Sequence, residues 1–400
     1  MSVRACDGSG MTGYKAKTVT VFSELSRMHS TGIAAYICRK SGISDEEVSV
    51  MNKIPYDITF HPSWWHKNAG IDFSQPFFDD PDCRMEADLV MRRTLYDHFG
   101  KYGIGQKDPR IRPLMGTDLL AAGYLYSEMM GCKIIYQPDN FPQVICRDLS
   151  AEDLDQVEAV DLDTSPVWAR MQRQIDALLA KYGRVETYIN LQGIQNIALD
   201  LMGQELYLAY YTDPDEISAL LEKITDLTIE VGKRFYALSQ DVSGGVTGIV
   251  RQVMPENYLT SNCSVEMVSN DCYEEFLLPH DIRLAKAFSC FGIHHCGKSM
   301  EHVCEGYAKV PNLKFAEVGA GSDVAYVRDH LPGVWLNLRY SAVEIQNQTP
   351  DQVREKVQNL LRLGRAEEGN ISISCVGMDK NTPEENILAF LDACYEANYC

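Results

Sequence analysis

Residues 287–309, AFSCFGIHHCGKSMEHVCEGYAK, decide how the chain is read. An apolar, β-rich run, Ala287–Ile293, stops at His294-His295-Cys296-Gly297, and a helical pattern follows over 298–309. A strand that ends in polar residues and feeds a helix is half of a βα unit. The unit recurs on both sides. Strands are expected at Ile54–Phe60, Lys133–Tyr136, Val185–Leu191, Leu259–Val268, Leu313–Val318, Val334–Leu338 and Ile371–Cys375. Helical patterns lie between them at 84–101, 116–131, 165–182, 194–204, 214–239, 271–286, 323–330, 350–365 and 382–397. Thr349-Pro350-Asp351 and Thr382-Pro383-Glu384-Glu385 mark two helix starts, each with a cap residue, a proline in the first turn and an acid on the helix dipole. Such alternation indicates an α/β fold with a parallel sheet, and roughly eight units favour a (β/α)8 TIM-type barrel over an open doubly wound sheet. No G-x-G-x-x-G follows the first strand and no G-x-x-x-x-G-K-[ST] occurs, so the commonest nucleotide-binding sheets are disfavoured. Residues 1–50 lack a clear strand and are read as an N-terminal helical extension packed on a single barrel formed by 51–400.

Composition bounds the partners. With 37 basic and 56 acidic residues in 400, the net charge is −19, which argues against nucleic acid and against an anionic membrane. No window approaches a membrane-spanning apolar length. Thirteen cysteines with no apolar leader at MSVRACDGSGMTGYKAKT point to reduced thiols in the cytoplasm, some of them held by a metal, rather than a disulfide framework.

In a barrel the C-terminal strand ends form the active face. His294 and Cys296 sit there, two residues apart, and the last expected strand ends at Cys375-Val376-Gly377 on the same face. One imidazole and two thiolates make a three-ligand Zn2+ site with its fourth position open. The competing reading is that Cys296 and Cys375 are buried apolar thiols and His294 a hydrogen-bonded strand-end residue. His295 faces the other way, because strand side chains alternate. On the neighbouring strand, SNCSVEMVS carries Asn262 and Glu266, each a fourth ligand or a partner that orients His294. Glu317, at the end of LKFAEVG, is a further acid aimed at the site, and Glu266 and Glu317 are the catalytic candidates. His61, Trp64 and Trp65 in IPYDITFHPSWWHKNAGID, with Tyr188 and Asn190 on one strand face, are candidates for the substrate. Phe77-Phe78 and Tyr207–Tyr211 are read as core, with homodimer contacts as the alternative.

The spacing His294-x-Cys296, then 78 residues, then Cys375 resembles the zinc site of the methylcobamide:coenzyme M methyltransferases, in the uroporphyrinogen decarboxylase superfamily. The similarity spans roughly 185–397 and includes IQNIALDLMGQELYLAYYTDPDEISALL (Ile194–Leu221), the Y-x-x-F-x-x-P helix DCYEEFLLP (Asp271–Pro279), and LNLRYSAVEIQNQTPDQV (Leu336–Val353). It implies a zinc-dependent transferase that moves a methyl group between a small substrate, a thiol acceptor or a methylated or methoxylated donor, and the cobalt of a corrinoid. A separate corrinoid protein would carry that methylcobamide, because the chain lacks a D-x-H-x-x-G motif. Asn337 and Asn262 are the residues expected towards the cofactor. Three departures stand out. Tyr126-Ser127-Glu128 replaces the decarboxylases' substrate-holding Phe-Ser-Asp, their Arg-rich N-terminal motif has no counterpart, and G-N-I-D becomes Leu336-Asn337-Leu338-Arg339, a base for an acid. These disfavour the alternative of metal-free decarboxylation of a porphyrinogen-like acid. A non-catalytic metal- or corrinoid-binding barrel is the other alternative.

Overall fold

Valine, isoleucine, leucine and phenylalanine fill the strands because both faces of a parallel sheet are covered. The computed structural model describes residues 53–241 and 248–399. The extension expected over 1–50 lies outside them. The strands are β1 (Tyr56–Phe60), β2 (Leu114–Gly116), β3 (Lys133–Ile135), β4 (Gln143–Ile145), β5 (Glu186–Tyr188), β6 (Asn257–Ser261), β7 (Cys290–His294), β8 (Leu313–Val318), β9 (Trp335–Tyr340) and β10 (Ile371–Met378). Six of them form a parallel sheet in the order β1-β10-β9-β8-β7-β6, and β2 pairs with β5 in parallel. A single parallel bridge, Gln192 to Ser261, joins the chain beyond β5 to the end of β6. The strands thus follow one another around a curled sheet as in a TIM-type fold, but among the described residues no pairing closes β1 onto β2.

Helices cover the outer face. Pro166–Tyr182 starts where the Ser165 hydroxyl accepts the Trp168 N–H at 3.3 Å, and ends at Gly183, whose φ of 69° favours glycine. It buries Trp168, Met171, Ile175 and Leu178 along one stripe. Pro350–Leu363 opens on a reciprocal capping box between Thr349 and Gln352. The matching device at Thr382 differs, because among the described residues that buried hydroxyl finds no hydrogen-bond partner. No helix among the described residues is long and apolar enough to cross a membrane.

Three expectations are corrected. Lys133–Ile135 is a strand, but it pairs antiparallel with β4 as an outlying hairpin and takes no part in the parallel sheet. The strand missed in its place is the three-residue β2, too short for an alternation pattern to register. The helix expected over 116–131 is confined to Leu125–Met129. The pattern over 271–286 is helical but interrupted by a wide π turn at Tyr273–Leu277, just ahead of Pro279, which cannot donate to a helical ladder.

Candidate metal centre

One level of the sheet breaks its apolar character. Register pairs Ser261 with His294, His294 with Glu317, Glu317 with Asn337, and Asn337 with Ser372. These five residues therefore form a polar row across β6 to β10, at the C-terminal ends of β6, β7 and β8 and progressively deeper in β9 and β10. His294, Glu317, Asn337 and Ser372 are all at least 97% buried, so each must find its partner in the next. Glu317 accepts from His294 Nδ1, and Asn337 Nδ2 donates to Glu317 Oε1 at 3.2 Å and to Ser374 Oγ at 3.1 Å. Arg339, two residues beyond Asn337, brings Nη1 to 3.4 Å from Glu317 Oε2.

Ahead of this row lie two thiols. Cys263, His294 and Cys296 each place a ligand atom within 4.8 Å of the other two. Tetrahedral zinc, with bonds of about 2.0–2.3 Å, needs ligand atoms roughly 3.3–3.8 Å apart, a spacing these three side chains reach with small adjustments. Two thiols and an imidazole are a donor set suited to zinc. Glu317 occupies Nδ1, which leaves Nε2 as the histidine nitrogen for an ion and fixes the ring.

The electrostatics agree with that division. Burial opposes charge on His294, but the Glu317 carboxylate and the Cys296 sulfur outweigh it and raise the imidazole to about 9. Glu317 is held below the usual carboxylate range, because His294 and Arg339 prevail over burial. The two thiols act on each other in opposite senses. The hydrogen bond from Cys263, reinforced by His294, drives Cys296 far below an ordinary thiol, while the bond to Cys296 and burial drive Cys263 well above it.

The loops are pinned in register with the thiols. Asn262, directly ahead of Cys263, donates its backbone N–H to the His294 carbonyl at 2.8 Å and its amide to buried Asp281 at 2.8 Å. Glu266 Oε2 accepts the Lys298 backbone N–H at 2.7 Å, tying the turn after Cys263 to the loop after Cys296. A Cβ on Gly297 would sit 2.5 Å from that carboxylate oxygen and 2.8 Å from the Glu266 Cβ, and a Cβ on Gly319 would come 2.1 Å from the Gly297 carbonyl.

A family model described as uroporphyrinogen decarboxylase (URO-D) matches residues 120–397. The chain belongs to that family. It is similar to the methylated-thiol–coenzyme M methyltransferase of Methanosarcina mazei, 26% identical over 314 residues, which cover 70% of this chain and 77% of that protein. A methyltransferase from Methanosarcina mazei of known structure aligns with a TM-score of 0.58 over 86% of this chain and 94% of that one, at 15% identity. The second likeness speaks for the fold alone.

Within this family member, the residues named from the sequence fall into three groups. His294 and Cys296 stand together with Cys263 in a group that could hold a metal ion. Glu317, Asn337, Glu266 and Asn262 surround it as supports: Glu317 and Asn337 hold the imidazole, Glu266 and Asn262 hold the loops. Glu266 is not among the acids, histidines and cysteines that converge there, and Asn262 spends its amide N–H on Asp281. Cys375 stands apart from the three grouped residues. On β10, Ser372 and Ser374 bond Asn337 on the inner face, so Cys375 takes the outer one. There it is buried in the apolar core, with Cys394 nearby, and burial pushes its thiol up to about 12. Cys263, rather than Cys375, lies beside His294 and Cys296.

The substrate candidates lie elsewhere. His61 caps the helix Pro62–Ala69 through Ser63, and Trp65 is wholly buried. Trp64 stacks on Phe60 at 3.8 Å and also borders an outer cleft with Lys67 and His98. Tyr188 lies opposite Thr187, whose hydroxyl meets Ser239 of the helical layer, so Tyr188 faces inward, under the Arg251 guanidinium at 3.6 Å. Tyr188 and Asn190 line an apolar cavity with Phe77, Met115, Tyr124 and Met171. Phe77 and Tyr210 are core as expected, whereas Leu208 and Tyr211 are exposed.

Proposed function

We propose that this chain is a zinc-dependent methyltransferase that moves a methyl group between a small substrate and the cobalt of a corrinoid carried by a partner protein. The observation that carries the reading is the Cys263–His294–Cys296 cluster at the C-terminal ends of parallel strands in a URO-D fold. The name of the Methanosarcina mazei relative supports the same reading. A zinc ion there would supply Lewis acidity, lowering the pKa of a thiol or hydroxyl brought to its open position or polarising a leaving oxygen. The rest falls to the protein. Cys263 and Cys296 provide the negative charge that retains the ion, and the lowered Cys296 thiol is ready for it. Glu317 fixes the tautomer and the angle of His294, and Asn337 fixes Glu317. The Glu266 staple sets the separation of the two sulfurs. Cys296 is exposed, which leaves one side of the centre open to a substrate and to a corrinoid carried from outside.

Two measurements test this. Protein purified without chelator is expected to hold close to one zinc per chain, and a content below about 0.3 would refute a three-ligand site. Zinc-loaded protein incubated with methylcobalamin and a panel of thiols is expected to change the cobalt spectrum at a rate proportional to enzyme. Full metal occupancy with no thiol demethylating the corrinoid, and no methyl ether or methyl thioether methylating its reduced form, would leave metal binding without transfer and sink the assignment.

A further inference from the structure

The hairpin β3–β4 closes at its base on two cysteines. Its register pairs Lys133 with Ile145, Ile134 with Val144 and Ile135 with Gln143. Continued one step outwards, that register sets Cys132 opposite Cys146, and one step further it sets Gly131 opposite Arg147. The outermost pair is in contact. Arg147 Nη1 donates to the Met130 carbonyl at 2.7 Å and would lie 3.3 Å from a Cβ on Gly131. Cys132 and Cys146, bracketed by pairs on both sides, are therefore directly opposed on adjacent antiparallel strands. Opposed α-carbons there stand about 4.5–5.5 Å apart, within the range that a disulfide spans.

Both side chains point the same way. Lys133, Ile135, Gln143 and Ile145 are exposed, so alternation turns Cys132 and Cys146 towards the protein. There the two sulfurs meet consecutive carbonyls in the last turn of the helix Ile194–Met202. Cys132 Sγ lies 3.4 Å from the Asp200 oxygen, and Cys146 Sγ lies 3.8 Å from that of Leu199. The Asp200 oxygen also accepts the Arg147 N–H at 3.2 Å, so both strands converge on it. Cys132 is buried and Cys146 half-buried, which leaves one sulfur open to a reagent with the other behind it. Cys375 and Cys394, by contrast, both lie within the apolar core. No third metal-ligating side chain joins Cys132 and Cys146 among the described residues, so the pair is not a second metal centre. Burial raises the Cys132 thiol to about 12 and lifts Cys146 as well, so both react slowly and suit a sustained change of conditions rather than turnover.

We propose that Cys132 and Cys146 form a reversible dithiol–disulfide site, oxidised by a low-molecular-weight disulfide, which locks the base of the hairpin. The Cys146 thiolate attacks one sulfur of the oxidant RSSR and releases RS−, and the Cys132 thiolate then displaces the second RS− from the mixed disulfide. One S–S bond forms in the protein and one breaks in the oxidant, and the two cysteine protons leave with two molecules of RSH. The lock has something to act on. Between the two cysteines, Tyr136 packs on Phe78 and Tyr124, which line the same cavity as Tyr188 and Asn190. Phe141 meets the His61 ring edge-on, and the Pro138 carbonyl accepts the Phe73 N–H. Oxidation fixes the two ends of this segment of 15 residues, Cys132–Cys146, and with them one wall of that cavity. The site stands whether or not the chain transfers methyl groups.

The test uses the full chain with zinc added, as wild type, C132S and C146S, equilibrated at about pH 8 with glutathione and glutathione disulfide over a range of ratios. Free thiols are then blocked with iodoacetamide, and tryptic peptides are mapped by mass. Cleavage after Lys133 and Arg147 separates the two cysteines, so the disulfide is expected as two linked peptides, about 2 mass units lighter than their reduced sum. Dithiothreitol should dissolve the link. C132S should instead hold glutathione on Cys146, and C146S should keep Cys132 free. In urea, oxidation of wild type should lower the unfolding constant by about a hundredfold, the entropic effect of closing a loop of this length. C146S should show no such gain, and at the more exposed position it carries the comparison should C132S fold poorly. Alkylation of both cysteines at every ratio, or glutathione on wild-type Cys146 with no link to Cys132, overturns the proposal. Linked peptides without any gain against urea, or an equal gain in C146S, refute the lock.

Discussion

Replacing Glu317 by glutamine separates two things that this carboxylate does to a metal on His294. The side chain is wholly buried and bonds His294 Nδ1 and Asn337 Nδ2, with Arg339 Nη1 at 3.4 Å. The amide of E317Q would keep the shape and lose the charge. Loss of an outer carboxylate partner typically weakens metal binding by about 10–100-fold, or roughly 1.4–2.7 kcal/mol. A second effect runs the other way. Glu317, with the Cys296 sulfur, raises the His294 imidazole to about 9 in the metal-free protein, so at pH 7 a metal must displace a proton at a cost on the order of a hundredfold, one factor of ten per unit. Without Glu317 the imidazole falls, although the Cys296 sulfur still supports its charge, and much of that competition disappears. The two effects nearly offset one another at pH 7, and the first stands alone once the pH exceeds about 9. Zinc affinity, measured by competition with a chromophoric chelator, should therefore be close in wild type and E317Q at about pH 7. By about pH 9.5 the two should diverge by about 10–100-fold in favour of wild type. If E317Q binds zinc as tightly as wild type, or more tightly, at that higher pH, Glu317 is not the partner of a metal-bound imidazole.

Other substitutions test neighbouring parts of the argument. C263S should abolish stoichiometric zinc, whereas C375S should keep it and lose about 1–3 kcal/mol of stability by placing a hydroxyl in an apolar site; metal analysis and urea unfolding check both, and the reverse pattern would restore Cys375 as the ligand. G319A places a Cβ 2.1 Å from the Gly297 carbonyl, so it should cost about 1–3 kcal/mol and weaken zinc binding by shifting Cys296; an unchanged melting temperature and metal content would contradict that. Asp281, which burial raises to about 6 against hydrogen bonds from Tyr273 and Asn262, stays protonated in the folded state at pH values where the unfolded chain has ionised. Its contribution is complete below about pH 4 and is lost as pH rises through 6, by at most about 3 kcal/mol. D281N keeps an acceptor oxygen for both donors, so its urea midpoint should fall less than that of wild type between about pH 4.5 and 7.5, and equal falls would exclude Asp281 as the source.

How much was legible in the sequence follows from strand parity and strand ends. The run Cys290–His294 was readable because a buried parallel strand is continuously apolar and stops at its first functional residue. Cys263 was not, because the expected strand Leu259–Val268 runs past it. The chain turns after Ser261, and a 3-10 turn over Cys263–Met267 presents the sulfur where a longer strand would have hidden it. Cys375 was ambiguous for the complementary reason. It lies near a strand's end, but alternation cannot say which parity faces inward until Ser372 and Ser374 are seen bonding Asn337. Arg339 was visible only as a departure from the family's acid, and its proximity to His294 comes from register across β7, β8 and β9, forty-five positions apart in the chain.

The polar row explains why one carboxylate cannot be altered without affecting both ends of the site. A buried acid with a single partner would be destabilising on balance, because its second oxygen would remain unsatisfied. Glu317 avoids this by taking Asn337 on Oε1 and both His294 and Arg339 on Oε2. Two cations of different function then lean on one oxygen, and His294 keeps a strong partner only while Arg339 remains slack. Weakening the Arg339 contact would leave Glu317 more fully to His294, strengthening the Nδ1 bond and making the imidazole a better donor to metal and proton alike. The gain for zinc should therefore be small near pH 7, where the proton competes, and should appear above about pH 9, where it does not. E317Q removes the shared carboxylate and should remove that pH dependence with it.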